Sequence, residues 1–198
     1  VDALDDDEVE ALGAGGWVVR DQVLGPAAAS VAAAIAALDG GLMPAQVGRG
    51  AERQAVPTVR GDRTRWIDPG APPPGLEPLI ACFHAVRDRV NAAAWLGLDR
   101  LDVQVAAYPA GAGYDRHVDA FRGRGSRRLT AIWYANPGWT DADGGALRVW
   151  RGDAPFDLSP TLDRLVVFLA DRVPHAVQPG ARVRRAATAW FHGRDDPA

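Results

Sequence analysis

From Leu101 onward the chain is divided into segments too short for anything but strands. "LDVQVAAY", "RLTAIWYA", "ALRVWR", "LDRLVVFLA" and "RVRRAATAWF" are rich in β-branched and aromatic residues. Between them stand the turn-forming runs "PAGAG", "NPGW", "DADGG", "GDAP" and "QPGA". A helix needs a longer uninterrupted stretch with apolar residues three and four apart, and these segments alternate instead. The second half is therefore expected to be a mainly antiparallel β core, as a sandwich, barrel or jelly roll.

The first half has a different texture. "VDALDDDEVEALGAGG" reads as a short acidic helix stopped by glycines, and "GWVVRDQVLG" as a strand. Pro26 opens a second helix through Leu38, and a third from Leu76 to Leu96 carries helical spacing at Leu79, Cys82, Phe83, Val86 and Val90. Between them, Leu42 to Thr58 lacks periodicity and reads as an exposed loop, followed by the extended "VRGDRTRWID". The expectation is one domain over residues 1–198: a helix-rich support with a substrate loop over 1–100, and the β core over 101–192.

A net charge of −3 argues against a dedicated nucleic-acid binder. The most apolar early segment, "AAASVAAAIAAL", is too short to span a bilayer, and no basic stretch precedes it as in a signal peptide. Cys82 is the only cysteine, so no internal disulfide forms and the expected location is cytoplasmic. The chain starts at Val1 without methionine, which suggests a trimmed start. Abundant arginine and alanine with no lysine point to a GC-rich, bacterial genome.

Chemistry concentrates in two places. In "GYDRHVDAF", His117 and Asp119 are two residues apart, so on a strand they would project from one face. Such a pair can ligate a metal, form part of a catalytic triad, or simply hydrogen-bond. His175, in "DRVPHAVQPG", supplies a second imidazole on another expected strand. Two histidines and a carboxylate with open positions suit a non-heme iron(II) oxygenase, and the same set also suits catalytic zinc. Arg184, nine positions after His175, favours the first. Alternation places it on one face with Ala186, Thr188 and Trp190, and turns Arg185 to the other. A guanidinium there can grip the far end of a dicarboxylate keto acid whose near end chelates iron.

Taken together, "AAYPAGAGYDRHVDAF", "RLTAIWYANPGW", "GGALRVW", "LDRLVVFLADRVPHAVQP" and "RRAATAWF" resemble the 2-oxoglutarate- and iron(II)-dependent prolyl 4-hydroxylase family. Within it they are most like the oxygen-sensing hypoxia-inducible-factor prolyl hydroxylases and their bacterial relatives. The resemblance is dense from Val103 to Phe191 and continues weakly through "VRGDRTRWID". It implies a double-stranded β-helix (jelly-roll) core, with His117, Asp119 and His175 as iron ligands. Arg184 and Tyr134 would share the distal carboxylate of 2-oxoglutarate, with Tyr108 and Thr188 lining the cosubstrate pocket. Tyr114, Trp190 and Arg127 would contact substrate, and Arg127 would face an acidic residue, for which Asp62 is the candidate. The chain departs from the family in a longer loop after Asp119 and in Leu42 to Thr58, which has no counterpart.

The implied activity is 2-oxoglutarate- and O2-dependent hydroxylation of a prolyl residue in a protein or peptide, giving succinate and CO2. Ascorbate would be an accompanying reductant. Among bacterial relatives the implied partner is a translation elongation factor, with no nucleic acid or membrane involved. A free or carrier-bound amino acid is the alternative substrate class, and an inactive jelly-roll binding module is the non-enzyme alternative. His84 and His192 read as packed or surface histidines, and Trp17, Trp66, Trp95 and Trp150 as core or rim packing. The arginines of "FRGRGSRR" read as a solvated run able to meet an acidic or backbone-rich substrate.

Overall fold

The computed structural model describes residues 4–14, 16–46, 58–94, 96–120 and 127–194. Most of the expected Leu42–Thr58 loop, Trp95, and Arg122 and Arg124 of the arginine run lie outside these residues. In chain order the elements are α1 (Asp6–Gly13), β1 (Trp17–Arg20), α2 (Ala28–Ala37), β2 (Met43–Pro44), β3 (Arg63–Ile67), α3 (Glu77–Ala94) and β4 (Leu98–Tyr108). There follow β5 (Tyr114–His117), β6 (Arg127–Tyr134), β7 (Leu147–Arg151), β8 (Ala154–Leu158), β9 (Leu165–Leu169), β10 (His175–Val177) and β11 (Arg184–Gly193).

Each helix has a local cause. Asp5 caps α1 by accepting from the Glu8 amide (2.9 Å) while Glu8 accepts from the Asp5 amide (2.8 Å), a reciprocal capping box. Pro26 sits in a 3-10 turn that leads into α2. On α3 the buried side chains Leu79, Cys82, Phe83, Val86 and Val90 recur three and four apart, as the sequence periodicity requires.

The strands form a mainly antiparallel β fold of two sheets, with order β1-β9-β6-β11-β4-β3-β2 in the larger and β5-β10-β7-β8 in the smaller. Strict alternation divides the apolar residues of the larger sheet between two cores. Leu129, Ala131, Trp133, Ala187, Ala189 and Phe191 pack with the helices. Ile132, Tyr134, Ala106, Tyr108 and Ala186 face the smaller sheet and build a second core inside the roll.

Three features differ from the sequence expectations. The turn run "GDAP" is half strand: β8 includes Ala154 and Pro155, and proline is tolerated because β8 is an edge strand. Only Trp17–Arg20 of "GWVVRDQVLG" is extended, because Val23 to Gly25 are captured elsewhere. Buried Asp163 accepts from the Leu24 amide (2.9 Å), the Gly25 amide (2.8 Å) and Trp133 Nε1 (2.9 Å). The first hundred residues also do more than support, since β1 pairs with β9 and β3 with β4 in the same sheet as the core strands.

Candidate active site

The smaller sheet brings the two histidines together. β10 pairs antiparallel with β5 so that His175 lies opposite His117, and their ring centroids are 4.3 Å apart. Asp119 is not on the strand with His117, as expected from the two-residue spacing, but in a bend just beyond its end. The Ala120 amide donates to the Ala170 carbonyl (3.1 Å) and fixes that bend. Asp119 Oδ1 then stands 3.7 Å from His117 Nε2 and 3.9 Å from His175 Nε2. One ligand atom from each residue lies within 4.8 Å of the others, the only such group among the described residues.

The outward nitrogens are already committed. His117 Nδ1 lies 2.8 Å from the Asp115 carbonyl and His175 Nδ1 3.0 Å from the Val173 carbonyl. An N–H donated to each carbonyl leaves both Nε2 lone pairs aimed at Asp119. Burial, aided by the neighbouring His175, pushes His117 down to about 4, so its imidazole is neutral and ligand-ready at neutral pH. Burial alone would raise the Asp119 carboxyl, but His175, His117 and the Thr130 hydroxyl outweigh it and hold it below its usual range. A neutral imidazole at His117, the Nε2 of His175 beside it and an ionised carboxylate at Asp119 suit a divalent cation with positions left open.

Further into the same roll, the face of β11 that carries Ala186 and Thr188 opens a cavity of about 420 Å³, because these small side chains leave it unfilled. Arg184 stands on this face, only 3% exposed. Its Nε donates to the Gly145 carbonyl (2.8 Å), and its guanidinium carbon lies 5.0 Å from the Tyr134 ring centre and 5.2 Å from that of Tyr108. Gly145 has φ +67°, and a Cβ there would meet Trp139 at 2.9 Å, so glycine is required where the backbone seats the arginine. Among the described residues, the buried Tyr134 hydroxyl has no hydrogen-bond partner. Burial raises the phenols of both Tyr134 and Tyr108, which keeps them protonated as donors. A buried guanidinium beside a partnerless hydroxyl is suited to a carboxylate.

Arg185 faces the opposite way, as alternation requires, and its guanidinium pairs with Asp39 outside the roll. Thr188 and Trp190 line the cavity with Arg184.

At the cavity mouth, Tyr114 stacks on His117 with ring centroids 3.8 Å apart. Asp62 is 2% exposed and is held by Arg60, whose Nε and Nη2 lie 2.7 and 3.0 Å from its two oxygens. Arg60 Nη2 also donates to Gln104 (3.1 Å), and its guanidinium lies over Tyr114 at 4.9 Å. The expected Arg127–Asp62 pairing is therefore not formed. Arg127 instead lies over the Trp190 ring, 4.0 Å from its centre, and burial lowers its pKa. The cavity brings together all eleven candidate site residues except Tyr134, which backs it through Arg184.

Sequence reasoning missed three contributors. Arg60 and Gln104 stand in "VRGDRTRWID" and "LDVQVAAY", and the family resemblance of those segments assigns neither a role. Trp66, assigned to packing, is 56% exposed on the cavity rim, its ring 5.7 Å from that of Trp190. Its place at the end of "VRGDRTRW", four residues past Asp62, was the available clue.

Residues 103–192 match the 2OG-Fe(II) oxygenase superfamily model. The chain superposes on a prolyl-4-hydroxylase of Pseudomonas putida with TM-score 0.85 and 35% identity, covering 96% of this chain and 98% of that one. The chain thus belongs to the 2OG-Fe(II) oxygenase superfamily and is an iron(II)- and 2-oxoglutarate-dependent dioxygenase, with prolyl hydroxylases as homologues. A Trichoplax adhaerens prolyl hydroxylase, solved with a hypoxia-inducible-factor peptide fragment, gives TM-score 0.83 and 29% identity over 93% of this chain and 87% of that one. The hypoxia-inducible factor prolyl hydroxylase of Caenorhabditis elegans is 39% identical over 102 residues, 49% of this chain and 14% of that longer protein. The histidine–carboxylate set and the Arg184–Tyr134 seat fit the family's metal and cosubstrate. No helix among the described residues is long and apolar enough to cross a membrane.

Proposed function

We propose that this protein hydroxylates a prolyl residue within a protein or peptide, consuming 2-oxoglutarate and O2 and releasing succinate and CO2. The iron held by His117, Asp119 and His175 supplies the redox chemistry when bound. Arg184 and Tyr134 take the far carboxylate of 2-oxoglutarate, which orients the keto acid end toward the metal-binding side chains. Tyr108 and Thr188 wall the cosubstrate, and the buried Tyr108 phenol has a hydroxyl to donate. Tyr114, Trp190 and Arg127 shape the substrate entrance, while Asp62 acts through Arg60, which it holds against Tyr114.

One observation carries the reading: Arg184 and the partnerless Tyr134 hydroxyl sit in the same roll as the three metal-binding side chains. A buried guanidinium lining the same cavity as those side chains, beside a buried hydroxyl, matches a ligand that carries a carboxylate. The flanking-chain substrate is favoured over a free amino acid by the open rim at Trp66. A translation elongation factor is the protein substrate we infer, with ascorbate as reductant. Residues 1–198 act as one domain, and a cytoplasmic location is the one we infer for a chain whose single cysteine, Cys82, is buried and unpaired.

The test is incubation with iron(II), 2-oxoglutarate, ascorbate and a native bacterial lysate, followed by peptide mass spectrometry. One added oxygen on a proline, with matching succinate, is expected. Oxidation of free or carrier-bound amino acids with untouched polypeptides would overturn the substrate assignment.

A further inference from the structure

Asp119 has two carboxylate oxygens with different neighbours. Oδ1 faces both histidine Nε2 atoms, at 3.7 and 3.9 Å, whereas Oδ2 accepts from Thr130 Oγ1 at 2.7 Å. Thr130 is fully buried on β6, an inner strand of the larger sheet, between Trp190 on β11 and Phe168 on β9. It has the parity of Ile132 and Tyr134 and so points into the roll. Its branched Cβ restricts χ1, so the hydroxyl has little freedom to leave Oδ2. Asp119 itself lies in a bend outside any strand, so its backbone alone does not choose between the two oxygens.

We propose that Thr130 is a positioning residue for the metal ligand: it occupies Oδ2 so that Asp119 presents Oδ1 alone. A carboxylate is free to bind a cation with one oxygen or two. With Oδ2 engaged, Asp119 takes one coordination position and leaves the next open for cosubstrate or dioxygen. The hydroxyl thereby links a central strand of the larger sheet to a bend at the edge of the smaller one, across the interior of the roll. This inference rests on the assignment of iron to His117, Asp119 and His175.

The test compares wild type with Thr130→Val, which keeps the shape and removes the hydroxyl, and with Thr130→Ser, which keeps the hydroxyl. Anaerobic titration of metal-free protein with iron(II) gives affinity, and the visible charge-transfer band after adding 2-oxoglutarate reports the coordination geometry. Thr130→Val is expected to weaken iron binding about 10–100-fold and to shift the band, with Thr130→Ser returning both most of the way. Should the valine variant not fold, Thr130→Ala undergoes the same titration. Unchanged affinity and band in the hydroxyl-free variant would overturn the inference, as would a serine variant as poor as valine, which would indicate packing alone. A wild type that binds no iron would instead overturn the underlying iron assignment.

Discussion

The two faces of the larger sheet are built by the same strands and have opposite chemistry. Toward the helices, β6 and β11 present Leu129, Trp133, Ala187, Ala189 and Phe191, an apolar set with no polar atom to satisfy except the Trp133 indole, which Asp163 accepts. Toward the smaller sheet, one residue out of phase, they present Thr130, Tyr134, Arg184, Thr188 and Trp190. There, among the described residues, the indole N–H of Trp190 and the hydroxyl of Tyr134 are buried without hydrogen-bond partners. Unsatisfied buried polar groups cost stability, and these two stand on the cavity face, while the helix-packed face supplies compensating burial. The neighbours Arg184 and Arg185 show the division at its narrowest, one in the cavity and the other on Asp39 outside.

Substitutions on the two faces should therefore fail in different assays. The largest effect is expected at the metal set: His117→Ala, Asp119→Ala and His175→Ala should each abolish iron-dependent turnover while circular dichroism stays native. Full activity with unchanged metal content in any one would remove it from the set. On the opposite face, Phe191→Ala should cost about 3–5 kcal/mol of stability by denaturant unfolding. In its folded fraction the apparent affinity for 2-oxoglutarate should hold, and a selective loss of that affinity would break the separation of faces.

Arg184→Ala leaves the cosubstrate carboxylate without its cation, at about 2–5 kcal/mol, roughly 30-fold or more in apparent affinity. Tyr134→Phe removes one hydrogen bond to a charged group and should cost less, about 1.5–3 kcal/mol. Iron titration should be nearly unaffected in both. The smallest effect is expected for Arg185→Ala, within about 1 kcal/mol of stability and with unchanged cosubstrate affinity, since its pair with Asp39 is partly exposed. Severe loss of 2-oxoglutarate binding in Arg185→Ala would reverse the assignment of the two faces.

Much of this division is legible in the sequence because a strand has a period of two: Arg184, Thr188 and Trp190 share parity, and the chain obeys it without a bulge between them. The helical spacing on α3 is legible for the same kind of reason. Other features depend on partners distant in the chain. Asp62 was assigned to Arg127, yet Arg60, two residues away, reaches it first and with two nitrogens. Local spacing placed Asp119 on a strand, but the ladder ends at His117 and a hydrogen bond to Ala170 shapes the bend. Pro155 looked like a turn residue because nothing local says that its strand lies at a sheet edge. The selection of Oδ1 over Oδ2 is written only in the packing of Thr130 against Asp119.

The Asp163 carboxylate bears on whether the catalytic strands could be transplanted. Two of its three donors, the Leu24 and Gly25 amides, come from the far end of the chain. A shortened protein starting at β4 would strand that carboxylate in the interior with the Trp133 indole alone. It would also bare the flanks of β9 and β4 that β1 and β3 now cover, giving two templates for self-association. A graft meant to carry this chemistry elsewhere must therefore bring its opening residues along, or redesign Asp163 and both sheet margins together.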